Sequence, residues 1–113
     1  MPVWFNVLSQ LMTMTPVVLN RHVHGKPQGA VYVGRPSKWG NPFGWDPKVA
    51  RVSGIELVPK DEALPRFREW AYDKAQTTLR EEAQRELRGR DLVCSCWPRP
   101  CHADTWLEIA NAA

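Results

Sequence analysis

Short apolar runs separated by turn residues dominate the pattern of hydrophobic and polar positions in the first third of the chain. Residues 17–19 and 30–33 are rich in valine and are bounded by proline, glycine or polar residues, so each run predicts a short β-strand. A third strand is predicted at 91–96, where Leu, Val and Cys follow one another. A shorter strand is predicted at 55–58.

The pattern changes to helical spacing in the middle of the chain. Asp61 predicts a helix cap, and Pro65 suits the first turn, where a missing N–H is tolerated. A break is expected near residues 77–78, and Gly89 predicts the end of the second helix. A last helix is predicted from His102 to about Asn111. The apolar positions that carry the helical period in the two middle helices are Phe67, Trp70, Ala71, Ala75, Leu79, Ala83 and Leu87.

Glycine and proline predict loops at 20–29 and 34–43 and an irregular stretch at 44–59. The order strand, strand, helix, helix, strand, helix favours an α/β fold, which we expect to be a small single-domain Rossmann-like sheet with flanking helices. The 113 residues suffice for one domain. We expect residues 1–13 to be an N-terminal extension and residues 14–113 to form the domain. No run approaches the roughly 18 apolar residues of a membrane helix.

Charge is distributed unevenly along the chain. The net charge is +3, but residues 1–55 hold six basic groups and one acid, residues 56–90 cancel, and residues 91–113 carry −2. The basic excess includes Arg35 and Lys38, so it predicts one local anion-binding edge rather than a basic surface for long nucleic acid. The three cysteines lie within eight residues and form a poor disulfide framework. They predict a protein of the reducing cytoplasm.

The loop at 34–43 combines groups that recognise nucleotides. It follows a predicted strand, and in open α/β sheets ligands bind at that end of the strands. Two cations can meet an anion, two polar side chains can hydrogen-bond a base, aromatic faces can stack, and two glycines allow close backbone approach. The alternative is a rigid surface loop with its aromatic rings folded inward. The candidate ligand-binding residues here are Arg35, Ser37, Lys38, Trp39 and Asn41.

The segment from Cys94 to His102 joins the third strand to the last helix and supports three hypotheses. Cys101 and His102 open a helix, whose N-terminal dipole favours a thiolate or a phosphate. Cys101 can therefore act as a nucleophile with His102 or His24 as its proton acceptor, and His102 can act as an acid/base. Alternatively, Cys94, Cys96, Cys101 and His102 form a Cys₃His zinc site, although adjacent ligands rarely converge on one ion. In the third hypothesis the cysteines are small buried side chains, which we favour for Cys94.

The segments VYVGRPSKWGNPF and ELRGRDLVCSCWPRPCHADTWLEIAN together resemble the uncharacterised domain-of-unknown-function family 4326, which is common in phages and bacteria. The resemblance covers residues 17–111 and implies a small cytoplasmic α/β domain, in the host cytoplasm if phage-encoded, without implying an activity. Two positions depart from the usual pattern: Ser95 replaces a common aromatic, and Ala103 replaces a common glycine. The signature positions matched here are Gly34, Arg35, Trp39, Gly40, Asn41, Pro42, Cys96, Cys101 and His102.

The leading functional hypothesis is the binding of a small anionic ligand, nucleotide-like in chemistry, at the carboxyl edge of the sheet. Arg35 and Lys38 would hold phosphate, Trp39 or Trp97 would stack on the base, and Asn41 would read its edge. Whether the domain is an enzyme stays open; nucleoside-directed transfer or hydrolysis would use Cys101 and His102, with no cofactor. The alternative is a non-enzymatic module, with zinc as its cofactor in the Cys₃His version, that contacts nucleic acid or a host protein. No membrane partner is expected.

Overall fold

The computed structural model describes residues 15–95 and 101–112, which form two small parallel sheets with helices around them. Strands β1 (Val18–Asn20), β2 (Val31–Tyr32) and β5 (Leu92–Cys94) form one sheet in the order β1-β5-β2. Strands β3 (Phe43–Gly44) and β4 (Glu56–Leu57) form the other. Val18 and Val31 both pair with Leu92, so β5 lies in the centre of the first sheet.

Five α-helices complete the described chain. They are α1 (Arg21–His24), α2 (Pro47–Ser53), α3 (Ala63–Tyr72), α4 (Thr77–Glu86) and α5 (His102–Ala110). Helix α5 contacts α3, α4, β1 and β5, which makes it the centre of the core. Its Trp106 is fully buried and packs edge-on against Trp39 and Phe67. All three residues of β5 are buried as well, as expected for a parallel strand covered by helices.

The predicted mixture of α and β elements is confirmed, and three strands and the last helix lie close to their predicted positions. The sheet is parallel and small, with flanking helices. Within residues 15–95 and 101–112, no helix is long and apolar enough to cross a membrane. The predicted extension at 1–13 lies outside the described residues.

The prediction that residues 20–29 and 44–59 lack helices is wrong. Helix α2 forms because the Asp46 side chain accepts the Lys48 N–H, Pro47 stands at the first helical position, and Gly54 ends the helix in the left-handed conformation. No residue of α2 is buried, so no apolar period marks the helix in the sequence. Helix α1 is a single turn, capped by the side chain of Asn20.

The expected start and break of the middle helices are also corrected. Asp61 makes no capping hydrogen bond; it lies in a 3₁₀ turn at Lys60–Glu62, and α3 begins at Ala63. The break falls at Asp73, before residues 77–78, because the Asp73 side chain accepts the Ala75 N–H and starts a second 3₁₀ turn. Helix α4 ends at Glu86 with Leu87 as its C-cap, before the predicted stop at Gly89, which lies in the following turn with a φ of 76°.

Candidate functional site

A cavity of about 400 Å³ lies at the carboxyl end of β2 and β5. This volume is within the range of about 300–1,000 Å³ that is usual for small-molecule sites. The loop after β2 forms one wall, the end of β5 and the start of α5 form another, and the segment around β3 and β4 closes the third. The lining residues are Tyr32, Gly34, Arg35, Asn41, Phe43, Trp45, Lys60, Ala63, Leu64, Cys94, Ser95 and His102.

The Arg35 guanidinium, which lines this cavity, has a buried nitrogen whose hydrogen bonding is incomplete. Its Nη1 atom is shielded from solvent and has no hydrogen-bond partner within the described parts of the chain. The side chain passes two glycines: a Cβ on Gly40 would lie 2.8 Å from Arg35 Cγ, and a Cβ on Gly44 would lie 3.5 Å from Nη1. Because packing rather than hydrogen bonding positions the buried nitrogen, its donor capacity is available to an anion.

Aromatic rings form the outer wall of the cavity. Trp45 is 51 % exposed although it is one of the largest apolar side chains, and Lys60 Nζ lies 5.6 Å from the centroid of its ring. Tyr32 Oη donates to the Arg35 carbonyl oxygen and accepts from Arg21 Nη1, at 3.0 and 3.3 Å. This wall therefore offers a half-exposed indole ring with a cation over it, which suits contact with a planar ligand.

Asn41 shapes the cavity from a buried position. Its Oδ1 accepts the Phe43 N–H at 2.8 Å, and its Nδ2 donates to the Ala63 carbonyl at 3.4 Å. The first bond is local to the loop, and the second connects the loop after β2 to the start of α3. The amide has a second N–H that these two bonds do not use. That this N–H contacts the edge of a ligand stays a prediction.

His102 lies at the inner end of the cavity. Its Nε2–H donates to the Val33 carbonyl at 2.7 Å, and the Phe67 ring packs edge-on against the imidazole. Burial lowers the pKa of His102, more than the hydrogen bond to Val33 raises it, and the positive charge of Arg35 lowers it further. Since Nε2 carries the proton, Nδ1 presents a lone pair, 3.4 Å from Cys101 Sγ.

The two described cysteines meet at this inner end. Cys94 Sγ and Cys101 Sγ lie 2.9 Å apart, and both side chains are buried. Cys94 lines the cavity, whereas Cys101 does not and is 4 % exposed. The structure thus brings Cys101 and His102 together as expected. It also buries Cys94 at the end of β5, as predicted, in a position that borders the cavity.

Three predicted ligand-binding residues lie away from the cavity. Ser37 Oγ donates to the Gly34 carbonyl at 2.6 Å and stabilises the turn. Lys38 Nζ pairs with carboxylates of α4, Glu82 at 2.7 Å and Glu86 at 2.9 Å. Trp39 is 4 % exposed, and its carbonyl accepts the Trp106 Nε1–H. These residues therefore stabilise the loop and attach it to the helices. For Trp39 this is the alternative in which the aromatic ring folds inward.

Trp97 and Cys96 lie outside the described residues. Among residues 15–95 and 101–112, no group of three or more histidine, cysteine or carboxylate side chains is arranged to hold a metal ion. The Cys₃His zinc hypothesis, which needs Cys96, stays a prediction.

Trp45, Lys60, Leu64 and Tyr32 are cavity residues that the sequence reasoning missed. Trp45 and Lys60 reach the cavity because β3 pairs with β4 in parallel, Phe43 opposite Glu56, with α2 as the connection. The capping residues Asp46 and Gly54 were the signal that could have revealed this connection and thus the proximity of its two ends.

Comparison with known proteins gives a family and one curated relative. The model of the domain of unknown function DUF4326 matches residues 18–112. An uncharacterised 12.4 kDa protein of the nrdA-td intergenic region of Enterobacteria phage T4 is 36 % identical over 81 residues, which are 72 % of this chain and 67 % of the phage protein. No solved structure matches the chain significantly.

Proposed function

The chain belongs to the family of the domain of unknown function DUF4326, and we propose that it binds a nucleotide, a nucleoside or a modified base in the cavity at the carboxyl edge of its three-stranded sheet. The observation that carries the proposal is the buried Arg35 Nη1, which has no partner within the described residues and borders a cavity of ligand size. Leaving a charged donor buried without a partner costs about 1–3 kcal/mol. A bound anion offsets this cost.

Three groups of the cavity would each contact a different part of such a ligand. Arg35 donates to a phosphate oxygen, and Lys60 adds a second positive charge near the mouth. The exposed face of Trp45 stacks on the base, in the role expected of Trp39. A Rossmann-like mode of binding is supported by the parallel strands and by the position of the cavity at their carboxyl ends. The cytoplasm is the location that we propose for the protein.

The proposal is binding rather than catalysis. Cys101, the predicted nucleophile, is buried and does not line the cavity, and the Nε2–H of His102 is engaged by the Val33 carbonyl. A transfer or hydrolysis at a nucleoside would have to use His102 Nδ1, which faces Cys101 at 3.4 Å. Binding needs none of these groups to move.

Calorimetric titration of the full chain with adenosine monophosphate, adenosine and inorganic phosphate tests the proposal. We expect the monophosphate to bind more tightly than either part. Arg35→Met should weaken its binding roughly 10- to 100-fold, which corresponds to one charge-assisted hydrogen bond of about 1.5–3 kcal/mol.

Lys38→Met is the matched control, because it removes a cation of the same loop that faces Glu82 and Glu86 instead of the cavity. We expect its affinity for the monophosphate to equal that of the unmodified chain. Absence of heat with nucleotides and nucleosides of all common bases would refute the proposal. Tight, steeply salt-dependent binding of an oligonucleotide without binding of the monophosphate would favour the nucleic-acid alternative.

A further inference from the structure

Two cysteines from different elements meet behind the cavity wall. Cys94 ends β5, and Cys101 is the N-cap residue of α5. Their sulfur atoms are 2.9 Å apart, within about 1 Å of the length of a disulfide bond, although both are present as thiols. Formation of a bond between them needs the two sulfurs to approach by about 0.9 Å.

The surroundings of Cys101 favour its thiolate. Its sulfur accepts the backbone N–H of Asp104 in the first turn of α5, while the Cys101 N–H donates to the Asp104 carboxylate at 3.1 Å. The N-terminal dipole of the nine-residue helix adds to this stabilisation. On the other side, the imidazole Nδ1 of His102 lies 3.4 Å away and can accept the thiol hydrogen. Cys101 thus has the environment of a resolving thiol.

Access to the pair runs through the cavity. Cys94 lines the cavity although only 1 % of its surface is exposed, whereas Cys101, 4 % exposed, does not line it. A small oxidant that enters the cavity therefore meets Cys94, whose sulfur is in contact with the sulfur of Cys101. Adjacency of an attacked thiol and a resolving thiol is the usual arrangement of a redox-sensitive pair.

We propose that Cys94 and Cys101 form a reversible redox pair that hydrogen peroxide oxidises to a disulfide. The Cys94 sulfur attacks one peroxide oxygen, the O–O bond breaks, and a sulfenic acid forms while the hydroxide takes up the thiol proton and leaves as water. The Cys101 sulfur then attacks the Cys94 sulfur, the S–O bond breaks, and hydroxide leaves as a second water with the Cys101 proton. Each peroxide molecule takes two electrons from the pair, and a dithiol reductant returns them.

The experiment uses the full chain with Cys96→Ser, in which Cys94 and Cys101 are the two cysteines that remain of three. After stoichiometric peroxide, intact-mass spectrometry should show the loss of two hydrogens with no added oxygen. Titration of thiols under denaturing conditions should fall from two per chain to none, and dithiothreitol should restore both. The double variants Cys94→Ser/Cys96→Ser and Cys96→Ser/Cys101→Ser are the controls, and they should gain oxygen or stay unchanged.

Three outcomes would overturn the inference. In the first, both thiols survive peroxide in a chain whose near-ultraviolet circular dichroism is native. In the second, Cys94 accumulates as sulfinic acid while Cys101 stays reduced. In the third, the purified, unmodified chain holds stoichiometric zinc that keeps both thiols from peroxide until it is chelated. Because each readout follows sulfur and not ligand, failure here leaves the proposed nucleotide binding intact.

Discussion

Replacing Arg35 with methionine should stabilise the protein while it removes ligand binding. Methionine keeps the methylene stem that passes Gly40 and deletes the guanidinium, whose Nη1 is buried without a partner within the described chain. A buried unsatisfied charged donor costs about 1–3 kcal/mol, and because Arg35 as a whole is only partly buried, we take the lower end. The free energy of unfolding should therefore rise by about 1 kcal/mol, which is roughly 3–5 °C in melting temperature for a chain of this size.

Urea denaturation followed by circular dichroism, with scanning calorimetry, measures this change. Arg51→Met is the control, because Arg51 lies exposed on α2 and its replacement removes the same charge from a solvated position. We expect the control to shift the free energy of unfolding by about 0.5 kcal/mol or less. If Arg35→Met lowers the free energy of unfolding by 1 kcal/mol or more, roughly the size of a net hydrogen bond, then the guanidinium is a structural group and the reasoning is refuted.

Three further predictions concern single residues. The free energy of unfolding should rise with pH between the lowered pKa of His102 and its ordinary value of 6.5, because unfolding in that window adds a proton to the imidazole. Urea titrations at several pH values should show that His102→Gln flattens this rise. Trp45→Ala should weaken binding of adenosine monophosphate in calorimetry without changing the melting temperature, whereas Trp39→Ala should lose about 3–5 kcal/mol of unfolding free energy. Gly54→Ala should lose about 1 kcal/mol in the same assay, because the left-handed backbone at φ 67° disfavours a side chain.

The elements that the sequence predicts well are those that bury an apolar run or face. Leu92–Cys94 is buried throughout, so its uninterrupted apolar run predicts a strand. Helix α5 buries Trp106 and Ile109 at helical spacing, and its predicted range differs from the observed one by a single residue at the end. In these two elements the residues that are buried are the same apolar residues whose spacing marks the element in the sequence.

Helix α2 and the division of the loop at 34–43 show where pattern is insufficient. Helix α2 buries nothing, so only its caps mark it. In the loop, Lys38 and Trp39 look as suitable for a ligand as Arg35 does, but their partners are Glu82 on α4 and Trp106 on α5. Which of these neighbours faces the cavity depends on contacts made more than forty residues away along the chain. The local sequence therefore does not indicate which residue of the loop faces the cavity.

The central position of β5 has a consequence for the order of folding during synthesis. Strands β1 and β2 leave the ribosome first, but they do not pair with each other, because β5 lies between them in the sheet. The Val17 N–H bonds to the Asp91 carboxylate across 74 residues of sequence, so closure of the sheet requires a long loop to be formed. Cys94 and His102 arrive with this last quarter of the chain and complete the cavity. A nascent chain therefore completes its cavity in the step that completes its sheet, so a molecule that bound there could not act as a template for the earlier steps.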